Sequence, residues 1–335
     1  MPSSPDVSAR LRRIDPSPLP LFDVYLVVDW SASSVPKQGR DSIWVAVLEH
    51  GAAAASLHNP PTRRDADLLI ETMLDTYTDR RVLLGIDVGL GYPHGFAAAA
   101  GLGTSPAWSA VWQHLAHALD DQLDNTNNRF DVAAALNART GEGPGPFWGT
   151  TSTRHVTPTL ARTKAPGFPT ASTPPLAEFR HTERVLRDLG RRPASVWQLA
   201  GAGSVGSQSL TAIPLLHRLR QRASSHVRVW PFDTGLVDDP TLGDRAAVVV
   251  AEVWPSAVEV DTSLHPVRDA AQVTALATRL AALDTGGSLG RLFAPQVPDH
   301  IVDAVLDEEG WVLGVPGVPG SADAAPEQRQ VTWMM

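Results

Sequence analysis

The chain has 335 residues, 43% of them hydrophobic and 19% charged, which is enough to bury a core in one large domain or two ordinary ones. It contains no cysteine, so disulfides, thiol catalysis and cysteine-based zinc sites are excluded. Its 28 basic and 36 acidic residues give a net charge of −8, which leaves no chain-wide basic footprint for nucleic acid, although one groove can still be basic. No apolar run approaches the roughly 20 residues of a membrane span. The N-terminus also lacks the apolar stretch of a signal peptide. A cytoplasmic protein with no membrane partner is the expectation.

Residues 1–20, rich in Pro, Ser, Asp and Arg without apolar periodicity, read as a flexible arm. A first strand is expected over 23–29, a second over 42–49 and a weaker third near 53–58. Their connections are too short for a crossover helix, so the three form an antiparallel meander. After Asn59-Pro60-Pro61, apolar residues at Ala66, Leu69, Ile70, Met73, Leu74 and Tyr77 mark a helix over 65–77. The run from Val82 to Asp87 follows as a strand buried on both faces. The helix is then a crossover that sets this strand parallel to, and near, the first. The resulting β-β-β-α-β order defines an α/β fold with a mixed sheet flanked by helices.

Residues 92–175 read as a large insertion, with a helical patch at Trp108–Leu119, a polar run near 124–131 and a Gly/Pro/Thr-rich functional or mobile loop over 141–175. Helices follow at about 176–189 and 210–222, and strands at 227–232 and 246–254. Further helices are expected over 267–283 and 298–306. The Gly/Val/Pro-rich stretch from 315 to 335 reads as a flexible tail. The whole of 21–314 is expected to be one domain.

Two of the buried strands end in an aspartate followed by turn residues: Val27-Val28-Asp29-Trp30-Ser31 and Gly85-Ile86-Asp87-Val88-Gly89. A carboxylate there costs several kcal/mol to desolvate unless a cation or hydrogen bonds meet it. Each Asp alone can be a turn cap, but the pair suggests two carboxylates side by side at one sheet edge. Two-metal phosphodiester hydrolysis needs such convergence, and hard cations such as Mg²⁺ or Mn²⁺ take oxygen ligands. Candidates for a third carboxylate are Glu183, Glu252 and the acids Asp299, Asp303 and Asp307. Glu183, close to Arg180 and Arg184, also reads as an exposed helical ion pair. Glu252 interrupts a buried strand, so it needs either a metal or a structural arginine.

Other motifs compete. Gly201, Gly203 and Gly206 satisfy G-x-G-x-x-G, with a plausible strand before and a helix after, as in a dinucleotide site, and Asp233 would hold a ribose. The same turn also reads as a structural glycine turn or a loop over the carboxylates. Arg154, His155, Arg162 and Lys164, with Trp148 just before them, can grip a phosphate backbone and stack a base, or belong to a solvated loop. Gly286-Gly287-Ser288-Leu289-Gly290 follows a helix, not the strand a nucleophile elbow needs, and reads as a plain loop.

The meander, the crossover helix and the two strand-end aspartates resemble the ribonuclease-H-like superfold. Val28–Ala32 with residues 42–46, Gly85–Pro93, Phe179-Arg180-His181-Thr182-Glu183 and Ala251-Glu252-Val253-Trp254-Pro255-Ser256 more narrowly resemble a bacterial family of predicted ribonuclease-H-like nucleases. Asp303-Ala304 is similar to the terminal helix of Holliday-junction resolvases. The resemblance implies metal-assisted cleavage of nucleic acid or a nucleotide, with Asp29, Asp87 and Asp303 as ligands of Mg²⁺ or Mn²⁺ and Asp29 bridging the ions. A kinase of the actin-like ATPase class shares this topology, but its phosphate-holding glycine hairpin has no counterpart between Asp29 and Gly39. A non-catalytic binding module of the same fold is the remaining alternative.

Overall fold

The computed structural model describes residues 19–103, 106–164, 167–222, 226–257, 260 and 265–317. The expected arm and tail therefore fall almost entirely outside the described residues. Three strands, β1 (Val24–Asp29), β2 (Trp44–Glu49) and β3 (Ser56–His58), form the antiparallel meander. Helix α1 (Arg63–Thr76) crosses over to β4 (Val82–Ile86), which pairs parallel to β1 with Val28 opposite Ile86. Thr62 caps α1 by accepting from the Asp65 amide. Strands β5 (Val227–Val229) and β6 (Val248–Glu252) complete a mixed sheet of six described strands in the order β3-β2-β1-β4-β6-β5, with β4, β6 and β5 parallel.

Side chains of β1, β4 and β6 are buried on both faces, as their unbroken apolar runs require. One face (Val24, Leu26, Val28, Val82, Leu84, Ile86) packs under α1, α3 (Ala107–Ala118), α4 (Arg129–Thr140) and α6 (Val205–Arg222). The other (Tyr25, Val27, Trp44, Leu83, Val249) packs under α5 (His181–Asp188), α7 (Arg268–Thr285) and the C-terminal segment. The molecule is thus an α/β/α sandwich with nine α-helices among the described residues, the short α2 (Phe96–Ala99), α8 (Gly290–Phe293) and α9 (Asp299–Ala304) completing the set. None of them is long and apolar enough to cross a membrane.

Two elements depart from expectation. The polar run near 124–131 leads into α4, whose Phe130, Val132, Ala133 and Leu136 are buried. Helix α6 begins at Val205 rather than Leu210, which carries the glycine turn to its very N-terminus.

Candidate functional site

The carboxyl ends of β1, β4 and β6 open into a cavity of about 650 Å³. The parallel register of β1 and β4 carries on past Val28 and Ile86, where the Asp87 amide donates to the Val28 carbonyl at 2.9 Å, so Asp29 and Asp87 sit side by side. Both line the cavity, and neither carboxylate has a hydrogen-bond or ion-pair partner among the described residues. Neither caps its turn; in the loop after β1 it is the Ser31 hydroxyl that accepts from the Ser33 amide. Burial, and then the charges of Asp87, Asp269 and Asp41, hold Asp29 well above the usual carboxylate range. Burial, followed by the charge of Glu252, pushes Asp87 up to about 7. Two adjacent carboxylates in this state share protons when no cation is present.

Asp269 was not among the sequence candidates. It lies in the first turn of α7, which packs across β1 and β2, and it lines the same cavity. Its Oδ2 accepts from the Asp41 amide at 2.7 Å. In the sequence an aspartate in the first turn of a helix reads as a favourable charge for the helix dipole, which hides any other role.

Glu252 and Glu183 are spoken for. Arg180, 0% exposed, forks onto Glu252 with Nη1 to Oε2 at 2.7 Å and Nη2 to Oε1 at 2.5 Å. Its Nε donates to Glu183 Oε1 at 2.8 Å, its Nη2 donates to the same oxygen, and its backbone amide donates to Glu183 Oε2 at 2.7 Å. Its Nη1 also donates to the Glu309 carbonyl at 2.9 Å. Glu183, expected as half of an exposed ion pair, is 4% exposed. The structural-arginine reading of Glu252 is the one observed, and the second oxygen of Glu252 also accepts from the Leu90 amide at 3.0 Å.

Asp303 does not join the site. Helix α9 turns Ile301 and Ala304 inward, which leaves Asp303 exposed and away from the cavity. The acids that matter structurally come just after it. Glu308 accepts from the Gly95 and Ala97 amides at 2.6 Å each, and Glu309 from the His94 and His181 amides at 2.9 and 2.7 Å. Burial is the largest influence on Glu309 and would raise it, but the bonds and charge of His181 and the His94 amide together hold it below the ordinary range.

The glycine turn lacks the geometry of a dinucleotide site. Among the described residues no strand of the sheet leads into it, only an isolated bridge between Gln198 and Trp148. The Val205, Gly206 and Ser207 amides already donate to Gly203, Gln198 and Ser204 carbonyls, so these amides are not available to a phosphate. A Cβ on Gly206 would fall 2.5 Å from the Val196 carbonyl, so this glycine serves close packing. Asp233 pairs with Arg220 at 2.8 Å and is not placed for a ribose. The turn does border the carboxylate cavity, as the loop reading expected. In the insertion, Lys164 pairs with Glu178 at 2.6 Å, and His155 stacks on Phe130.

The donors suit a hydrated hard cation. Mg²⁺ is usually held by one or two carboxylates, with water and phosphate oxygens completing its shell; Asp29 and Asp87 offer two unpaired ones. A closed cage is absent: among the described residues no three His, Asp or Glu side chains are grouped to hold an ion. The expected triad of Asp29, Asp87 and Asp303 is therefore not assembled. Searches against protein-family models, curated proteins and solved structures found no match to the chain.

Proposed function

We propose that the protein is a metal-dependent phosphodiester hydrolase of ribonuclease-H-like fold, with Asp29 and Asp87 as the ligands of Mg²⁺ or Mn²⁺ and nucleic acid as substrate. The observation that carries this reading is the pair itself: two adjacent, part-buried carboxylates without partners among the described residues, lining a cavity large enough for a nucleotide-sized group. Structure of this kind, costly to folding and unrelieved by the chain, marks a functional site. The meander followed by parallel strands, in the order β3-β2-β1-β4-β6-β5, supports the fold assignment.

A bound cation would supply an activated water and neutralise charge growing on the phosphate. The chain's own part is positional. The sheet register fixes the spacing of the two carboxylates. Asp269, held by the Asp41 amide, borders them from the α7 side and adds negative charge to the cavity. The cluster of Arg180 with Glu183 and Glu252 holds the β6 edge and the turn after β4 rigid.

Calorimetric titration of Mn²⁺ tests the reading. The wild type is expected to bind, and the Asp29→Asn/Asp87→Asn variant is not. Cleavage of labelled DNA and RNA oligonucleotides should fall at least about a hundredfold in Asp29→Asn, the scale of losing a main electrostatic contributor. Absence of Mn²⁺ binding by the wild type, together with undiminished cleavage in Asp29→Asn, would sink the mechanism.

A further inference from the structure

Arg129 opens α4 and lines the same cavity, yet it is only 7% exposed. Its neighbour Arg63 has a carboxylate, with Asp121 at 2.6 Å. Arg129 has none. Its Nε donates to the Ser207 hydroxyl at 2.9 Å, and its Nη1 donates to the Ser34 hydroxyl and to Asn127 Oδ1, both at 2.9 Å. Nη2 has no acceptor among the described residues. The guanidinium also lies over the Phe130 ring at 4.5 Å. Burial and then the charge of Arg63 lower its pKa to about 10.

A buried cation whose hydrogen-bond partners are all neutral is a net cost to folding, and the nearby Asp121, whose charge also reaches Arg129, is already taken by Arg63. Three neutral acceptors orient Arg129 without neutralising it, and they leave Nη2 of a cavity-lining residue without an acceptor among the described residues. That is a prepared place for an oxyanion, because a guanidinium takes phosphate oxygens in a fixed plane. Arg192, exposed on the same cavity wall, adds a second cation without an ion-pair partner among the described residues. Arg129 is anchored to the loop after β1 and to α6, on the sheet face opposite the α7 side, where Asp41 and Asp269 stand. The cavity thus offers a phosphate two different contacts, a cation held by the carboxylates and the guanidinium of Arg129.

Resting on the hydrolase reading above, we propose that Arg129 is a phosphate-binding residue: Nη2 takes an oxygen of the phosphate next to the one at Asp29 and Asp87, so the substrate is a strand with consecutive phosphodiesters and not a mononucleotide.

The test uses the full chain carrying Asp29→Asn/Asp87→Asn, which binds probe without cleaving it and without needing a metal. Fluorescence anisotropy with a labelled thymidine oligonucleotide measures affinity, and thymidine mono- and dinucleotides serve as competitors. Adding Arg129→Gln should weaken oligonucleotide binding about tenfold or more, the worth of a charged hydrogen bond. It should also reduce the slope of log affinity against log salt by about 0.7, one single-strand phosphate. Arg129→Lys should fall between, since it keeps the charge and loses the fork; it also serves if the Gln variant fails to fold. A purely structural Arg129 would lower the melting temperature and leave the salt slope unchanged. Equal binding in both variants, no binding without either, or a mononucleotide that competes as well as the dinucleotide would overturn the proposal. Mn²⁺ titration of Arg129→Gln in the otherwise wild-type chain separates the two readings. Metal binding with unaltered oligonucleotide affinity rejects the role of Arg129 alone. Oligonucleotide binding that depends on Arg129 in a chain that binds no metal rejects the hydrolase alone.

Discussion

Asp87 is a neutral acid at the pH where most carboxylates are charged, and this has a definite sign for stability. Burial first, then Glu252, raises it from 3.8 to about 7. The folded state therefore binds this proton more tightly than the unfolded chain does. Its contribution to stability is full below about pH 4 and is lost as pH rises through about 7. Asp87→Asn, which mimics the protonated form, should melt higher than the wild type at pH 8 in a chelator, by on the order of 2 kcal/mol or a few degrees. The gain should shrink toward zero by about pH 4, as scanning calorimetry across that range would record. An equal gain at both ends would show that Asp87 does not titrate in this window. The same proton must leave when a cation binds. The Mn²⁺ binding enthalpy near pH 7 should accordingly vary with the ionisation enthalpy of the buffer, and a buffer-independent value would contradict a shared proton on the pair.

At the scale of elements, the turn after β4 is held by pieces distant in sequence. Leu90 donates to Glu252, Tyr92 to the Glu308 carbonyl, and Leu313 to the Glu252 carbonyl, so the C-terminal segment straps the end of the sheet beside Asp87. Gly91 lies where a Cβ would come within 2.2 Å of the Glu308 carbonyl oxygen and 2.5 Å of that of Glu309. Gly91→Ala must move backbone, and a loss of about 3 kcal/mol or more is expected in denaturant unfolding. Arg180→Met, which strands two buried carboxylates, should cost about 3–5 kcal/mol. These contacts also show what the sequence could convey. The order of β1, β2, β3, α1 and β4 was readable because long apolar runs and one helical stripe are local signals, and an Asp closing such a run stood out for the same reason. Arg180 and Glu183 look like any surface pair three apart; only the packing of α5 against β6 and the C-terminal strap buries them. Asp303 looked equivalent to its acidic neighbours, because which face of so short a helix meets the core is decided by Ile301 and Ala304 and not by charge. Arg129 sat in a polar run that hid the start of α4, and its missing counter-ion is a fact of three dimensions.

Taken whole, the molecule sets an acidic cavity in a chain of net charge −8, and the proposed substrate is a polyanion. Asp29, Asp41, Asp87 and Asp269 line that cavity, against Arg129 and Arg192 as its basic lining residues among those described. Long-range attraction cannot bring nucleic acid here, since the field of the chain opposes it. A divalent cation reverses that sign locally, and Ca²⁺, another hard cation that takes carboxylate oxygens, can stand in for Mg²⁺ in a binding experiment. Affinity of the wild type for a labelled oligonucleotide should therefore rise when chelator is replaced by Ca²⁺. At a pH high enough to ionise the wild-type pair, the Asp29→Asn/Asp87→Asn variant, which cannot take up those charges, should bind more tightly than the wild type in chelator and gain nothing from Ca²⁺. The comparison separates a cation acting at the pair from counterions acting over the whole surface, which would help both proteins alike. An equal Ca²⁺ response in the two would mean that the carboxylate pair is not where cation and strand meet.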